Sequence, residues 1–105
     1  MRGRSPEIPE LRRKQTEAVK TIGARLKASR VLCNLSLSEA ARRLGYANPS
    51  KLSKVENATD TNSVPLWLIR DAAEFYEVST EYLFGLSEDW ETGTHRGVTH
   101  FLLAE

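Results

Sequence analysis

Residues 36–58 read SLSEAARRLGYANPSKLSKVENA, and this stretch decides the fold because it contains two helix-start signals. Ser36 stands three residues before Glu39, the spacing of a capping box in which the serine hydroxyl accepts from the glutamate amide and the glutamate carboxylate reaches back. Asn48 and Pro49 form the second signal, because asparagine caps helices well and proline suits the first helical position, where the amide has no partner anyway. The stretch therefore predicts two short helices joined by a turn.

The second predicted helix has a narrow apolar stripe and a wide polar face. Its apolar side chains after Pro49 are Leu52 and Val55, so we expect only a narrow side of this helix to contact the core. Such a pair is typical of a helix-turn-helix, whose second helix enters the DNA major groove while the first crosses the backbone. Lysine donates to guanine, serine serves several bases, and helix N-termini attract phosphate oxygens. We therefore predict a DNA-binding surface composed of Ser36, Arg42, Arg43, Asn48, Pro49, Ser50, Lys51, Ser53 and Lys54.

The segments on either side of this pair complete an all-α domain, since a chain of 105 residues is expected to form a single domain. In the segment before it, Gly23 predicts either a junction of two helices or close packing. The apolar residues of that segment recur at helical spacing, namely Ala18, Ile22, Leu26 and Leu32. After the pair, we predict a helix beginning near Pro65 with Ser63 as its cap, and a short helix between Ser79 and Gly85. No segment has the two-residue period that indicates a strand.

The charges are distributed unevenly, although the whole chain carries only +1. Residues 1–57 contain 13 Lys/Arg and 5 Asp/Glu, whereas residues 58–105 contain 2 and 9. A basic half of this kind predicts a polyanionic partner, with a solvated basic face as the alternative. Arg2 and Arg4 in the N-terminal arm are candidates for minor-groove or phosphate contacts. The choice between phosphate contact and solvation stays open for two residues of the first helix, Arg25 and Lys27.

Several short motifs follow one another between about residues 21 and 86. They are Ile22-Gly23-x-Arg25-Leu26-Lys27, Arg30, Leu35-Ser36-x-x-Glu39-Ala40-Ala41-x-x-Leu44-Gly45-Tyr46, Pro49-Ser50-x-Leu52-Ser53-Lys54-Val55-Glu56-Asn57 and Ala73-x-x-Tyr76-x-Val78-Ser79-x-x-Tyr82-Leu83-x-Gly85. With these motifs the chain resembles the phage-repressor-like (Xre/Cro-type) helix-turn-helix proteins. The resemblance implies a compact five-helix repressor-like domain that binds a palindromic operator as a homodimer. It also implies a structural ion pair between Arg30 and Glu56, which joins the first helix to the recognition helix.

Three features depart from the family pattern. Leu37 stands where the family commonly has a glutamine that touches DNA, and the turn before Pro49 is one residue longer than in the shortest phage repressors. The longer turn leaves an offset of one residue open for the base-contacting roles of Pro49, Ser50 and Lys54. Ala58 stands where a glycine usually ends the recognition helix, which predicts a different exit from that helix.

Other classes of site find little support in the sequence. Cys33 is the only cysteine, which excludes an intramolecular disulfide, and we expect it to be a small buried apolar residue rather than a redox sensor. His95 and His100 do not share a helix face, so we predict no metal site. Without a nucleophile elbow or a glycine-rich phosphate loop, we expect neither an enzyme nor a cofactor. The chain has no apolar run of about 18 residues and no secretory signal, which predicts a cytoplasmic protein without a membrane partner.

These observations predict a helix-turn-helix domain over residues 10–86, with a flexible basic arm over residues 1–9 and a C-terminal segment over residues 87–105. The expected function is that of a sequence-specific transcriptional regulator that binds a double-stranded DNA operator without a small-molecule ligand. The C-terminal segment is predicted to be a dimerisation element, or else a tail folded on its own core. Its apolar residues are Trp90, Val98, Phe101, Leu102 and Leu103. The chain ends without a structural stop signal, which leaves a continuation into a longer protein open.

A protein–protein interaction module, such as an antitoxin or a transcription adaptor, is the alternative function. It would use the same fold and bind a polypeptide through the acidic second half. Leu37, in place of a residue that usually contacts DNA, favours this alternative, whereas the basic first half argues against it. The sign of regulation and the operator sequence stay open.

Overall fold

A computed structural model describes residues 8–60 and 63–92, which form five α-helices and no strand within those ranges. The helices are α1 (Ile8–Leu32), α2 (Leu37–Arg43), α3 (Pro49–Asn57), α4 (Leu66–Tyr76) and α5 (Thr80–Phe84). The all-α, five-helix class predicted from the sequence is confirmed. The predicted contacts of Arg2 and Arg4 lie outside the described residues, as do four of the five apolar residues of the predicted dimer surface, namely Val98, Phe101, Leu102 and Leu103; the fifth, Trp90, is described and exposed.

The two central helices begin at the predicted caps. The Ser36 hydroxyl accepts from the Glu39 amide at 3.1 Å, and the Asn48 side-chain oxygen accepts from the Ser50 amide at 2.8 Å. The return bond of the predicted capping box does not form, because the Glu39 carboxylate accepts instead from two arginines one turn further along α2. The helix starts were therefore local enough to predict, while the partner of a charged side chain was not.

The first helix is continuous and begins at Ile8, before the boundary predicted at residue 9. Pro9 is compatible with this start, because the amide that proline lacks has no intrahelical partner in the first turn. Gly23 does not divide the helix; it lies against α3. A Cβ atom at this position would stand 2.7 Å from the carbonyl oxygen of Glu56 and would also overlap that of Val55. The structure therefore confirms close packing at Gly23 and excludes a junction of two helices there.

The core forms around α1, which packs against α3, α5 and α4, while α2 packs against α3 and α4 against α5. For two residues of α1 the predicted burial is wrong: Ala18 is exposed, and Leu32 is 57% exposed. Only the part of α1 after about residue 20 contacts other helices, so Ala18 precedes the packed region, while Leu32 points outward at the last turn. The buried apolar residues are Leu26, Ala40, Ala41, Leu44, Leu52, Val55, Leu68, Ile69, Ala72, Tyr76, Val78 and Leu83.

The start of α4 differs from the predicted cap. Pro65 is the N-cap, with an extended φ of −60° and no side-chain hydrogen bond to the first turn. Ser63 as the cap was a wrong prediction, because a capping side chain must come from the residue directly before the first helical residue, here Leu66.

Ala58 ends α3 in the left-handed conformation, with φ 53° and ψ 43°. Its amide donates to the carbonyl oxygens of Lys54 and Val55, the arrangement that a glycine commonly provides at a helix C-terminus. The prediction that α3 ends differently at Ala58 is therefore wrong. The helix ends in the usual left-handed C-cap conformation, and alanine bears the steric cost of that conformation.

Replacing Ala58 with glycine should raise the free energy of unfolding by about 0.5 to 1 kcal/mol, because glycine adopts a positive φ without a clash at Cβ. Thermal unfolding followed by circular dichroism measures this. The control is Ala47→Gly in the turn before α3, where φ is not positive and glycine should bring no gain. Equal effects of the two substitutions would contradict the explanation.

The first residues of the C-terminal segment are bound to the domain by Arg25. Its guanidinium donates to the carbonyl oxygens of Tyr82 and Ser87, at 2.9 and 2.8 Å, and forms an ion pair with Glu88 at 3.1 Å. The Ser79 amide donates to the carbonyl oxygen of Trp90 at 2.9 Å. Arg25 was expected either to contact a phosphate or to be solvated, and both alternatives are wrong. Its side chain binds the segment after α5 to α1.

Candidate nucleic-acid interface

The polar face of α3 lies opposite the side that packs on the core. Leu52, Val55 and Glu56 are buried. At 100° per residue, the opposite direction is occupied by Ser50, Lys54 and Asn57, which are spaced four and three residues apart and are all exposed. The exposed Lys51 and the half-buried Ser53 lie on the two flanks of this row. The helix therefore presents a row of polar side chains that no part of the described domain covers.

The hydrogen bonds at the N-terminus of α3 determine whether the Ser50 hydroxyl can donate to a ligand or accept from it. The side-chain oxygen of Asn48 accepts from both the amide and the hydroxyl of Ser50, each at 2.8 Å. Because a carbonyl oxygen can only accept, the Ser50 proton is used in this bond and its lone pairs remain. Ser50 in this state can accept from an amino group, such as that of adenine or cytosine in the major groove. Pro49, which has no amide proton, is exposed beside it.

Asn57 at the C-terminal end of α3 belongs to the same face, although the predicted site did not include it. Its side-chain nitrogen donates to the carbonyl oxygen of Ser53 at 3.0 Å and to the Ser53 hydroxyl at 3.2 Å. These bonds leave the amide oxygen of Asn57 as an acceptor. The signal for Asn57 was in the sequence, since it follows Ser50 by seven residues and Lys54 by three.

The cations of the predicted site fall into two groups. Lys51 and Lys54 are exposed, and their ammonium groups have no hydrogen-bond or ion-pair partner within residues 8–60 and 63–92. Arg42 and Arg43, in contrast, both contact the Glu39 carboxylate, at 2.7 and 2.8 Å. The bond from Arg43, with the charges of both arginines, lowers the pKa of Glu39. The lysines of α3 thus carry uncompensated charge, whereas the arginines of α2 share a counter-charge.

A buried ion pair holds α3 in place. The guanidinium of Arg30 donates to both carboxylate oxygens of Glu56, at 2.8 and 3.0 Å, and to the carbonyl oxygen of Leu35 at 3.0 Å. The side chains are only 12% and 2% exposed. The hydrogen bonds that the guanidinium donates to the Glu56 carboxylate raise the pKa of Arg30. One side chain therefore ties the end of α1, the segment before α2 and the end of α3 together, and the ion pair is the one that the resemblance implied.

The turn between α2 and α3 is held from the other side by aromatic packing. The Tyr46 ring lies 5.4 Å from the Trp67 ring at the start of α4, and burial raises the pKa of Tyr46. Leu37, at the first position of α2, is half-buried against the core rather than presented to a ligand. The ion pair of Glu56 therefore fixes the C-terminal end of α3, and the contact of Tyr46 with Trp67 fixes the turn before its N-terminal end.

The other candidate groups of the sequence lie elsewhere. Cys33 is exposed, so its prediction as a buried residue is wrong: it lies just after the end of α1, where its thiol donates to the carbonyl oxygen of Tyr76 at 3.6 Å. Partial burial raises the pKa of this thiol. His95 and His100 lie outside the described residues, and the described part contains no group of three or more potential metal ligands. No described helix has the length and apolar composition needed to cross a membrane.

Two short capped helices joined by an anchored turn, with a polar second helix, define the helix-turn-helix class. The chain matches a family model described as a helix-turn-helix domain over residues 21–83, more than half of its length, and it belongs to that family. The match supports a DNA-binding regulator in general terms. Searches of curated proteins and of solved structures found no match to the chain.

Proposed function

We propose that the protein is a sequence-specific transcriptional regulator of the phage-repressor-like (Xre/Cro) type, which binds a double-stranded DNA operator through α3. It acts as a homodimer in the cytoplasm and neither catalyses a reaction nor needs a cofactor. The observation that carries the proposal is the polar face of α3, where Lys54 in the outward row and Lys51 on its flank have no partner in the described part of the chain. A helix fixed by a buried ion pair presents that row at a defined angle.

Each side chain of the surface has a role that follows from its remaining hydrogen-bonding capacity. Lys51 and Lys54 neutralise phosphates or donate to guanine, and Ser50 accepts from a base amino group. Asn57 accepts at the other end of the row. The backbone on either side of the groove is contacted from α2 and the cap of α3, through Ser36, Arg42, Arg43 and Asn48.

The test is fluorescence anisotropy of the full chain with a random-sequence DNA duplex over a series of salt concentrations. Each phosphate contact contributes about 0.9 to the slope of log affinity against log salt. Replacing Lys51 and Lys54 with glutamine should therefore reduce the slope by up to about 1.8 and weaken binding to all sequences. Glutamine has nearly the same helix propensity as lysine, so the circular dichroism spectrum should not change.

Arg70→Gln is the control, because Arg70 on α4 has a side chain that is 79% exposed, and its ion-pair partner among residues 8–60 and 63–92 is the neighbouring Asp71. It should leave the slope unchanged. A lysine double variant that binds like the Arg70 variant would overturn α3 as the reading helix. A wild-type chain that binds no duplex at low salt would overturn DNA binding itself and favour the protein–protein interaction module.

A further inference from the structure

The first thirteen residues of α1, Ile8–Lys20, extend away from the packed domain. All of them are exposed except Val19, which is half-buried. At 1.5 Å per residue, this part of the helix is about 20 Å long. The family match begins at Thr21, where the packing of α1 also begins, so the fold of the domain does not explain the extension.

One face of α1 carries a row of cations that runs from this extension into the domain. Arg13, Lys20 and Lys27 are each seven residues apart, which places them within about 40° of one another around the helix. All three are exposed. Gly23, which touches the last turn of α3, stands three residues after Lys20 and four before Lys27, and therefore on a neighbouring line of the same face. The row thus borders the contact between α1 and the recognition helix.

The cations of this row have no ion-pair partner within the described ranges, although Glu10 and Glu17 lie on the same helix. The arginines of the packed domain, in contrast, are all paired with carboxylates; these are Arg25, Arg30, Arg42, Arg43 and Arg70. The row resembles Lys51 and Lys54 in this respect. These cations, which form no ion pair in the described part of the chain, lie on a helix beside α3 and are complementary to a polyanion that also contacts α3.

We propose that Arg13, Lys20 and Lys27 form a second DNA-contacting element, which binds backbone phosphates flanking the site read by α3. This inference rests on the proposed function, because it assigns the row to the same duplex. The extension has only three large apolar residues, Ile8, Leu11 and Val19, and no aromatic residue. That is too little apolar surface for insertion into a lipid interface, which leaves electrostatic contact as the means of binding.

The experiment compares two double variants that lose the same charge. Arg13→Gln with Lys20→Gln removes two members of the row, whereas Lys14→Gln with Arg70→Gln removes one cation of the extension that lies outside the row, about 100° from Arg13 around the helix, and one cation from α4. Both are measured in the full chain by anisotropy with the random-sequence duplex over the salt series. The row variant should lower the salt slope by up to about 1.8, and the control variant should leave it near the wild-type value. Circular dichroism checks that both retain the wild-type helicity.

The outcomes separate this inference from the proposed function. If the slope of the wild type depends on Lys51 and Lys54 but the row variant matches its control, the second contact is overturned and the reading helix stands. If the slope depends on the row but not on the two lysines, the row binds DNA and α3 does not read it. Loss of binding to phosphatidylserine vesicles in the row variant, with DNA binding unchanged, would also overturn the inference and assign the row to a membrane surface.

Discussion

Replacement of Arg30 with methionine is expected to lower the free energy of unfolding by about 3 to 5 kcal/mol, because it leaves the Glu56 carboxylate buried without its counter-charge. The Glu56 side chain is only 2% exposed, and both of its oxygens accept from the Arg30 guanidinium. The loss of the third bond, to the carbonyl oxygen of Leu35, adds to the effect. Chemical unfolding followed by circular dichroism measures the difference.

A double variant separates the charge from the packing. With Arg30→Met and Glu56→Leu together, no buried charge remains, and apolar side chains of similar volume fill the site, so most of the lost stability should return. Arg70→Met is the control, because this pair on α4 is largely exposed and its loss should change stability by less than about 1 kcal/mol. If Arg30→Met costs no more than Arg70→Met, the pair does not hold α3 in place.

The sequence predicted those elements whose signals are local. Ser36 and Asn48 lie within three residues of the amides that they cap, so the starts of α2 and α3 could be placed from the spacing alone. The pair between Arg30 and Glu56 spans 26 residues, and only the family resemblance pointed to it. Arg25 shows the limit of sequence reasoning, because its partners lie 57 to 63 residues away, beyond any helical period.

The sequence predicted the outline of the candidate site, but it did not predict which of its cations have an ion-pair partner. The amphipathic pattern of α3 identified the polar face, yet the sequence did not reveal that Arg42 and Arg43 share a counter-charge that Lys51 and Lys54 lack. That distinction depends on the side-chain conformation of Glu39, which contacts both arginines instead of completing its capping box. Asn57 was left out of the predicted site, although the helical period already placed it on the polar side of this helix.

Replacement of Gly23 with alanine is expected to destabilise the protein by about 2 to 3 kcal/mol, because the added methyl group meets backbone atoms of α3 that cannot rotate away. The expected sign is the reverse of the usual one, since alanine in an exposed helix interior is about 1 kcal/mol more favourable than glycine. Ala24→Gly is the control: Ala24 is exposed on the next position of α1, and its replacement should cost about the ordinary propensity difference.

The same substitution tests whether α1 positions the recognition helix. To relieve the overlap, the last turn of α3 must move away from Gly23, and the Arg30–Glu56 pair, which joins the same two helices, must lengthen or reorient. A folded Gly23→Ala variant should therefore bind DNA more weakly than the Ala24→Gly control at equal helicity, although neither residue is placed on the DNA-contacting surface. An alanine variant as stable as the wild type would show that α3 tolerates the shift, and that the glycine is not what sets the distance between the helices.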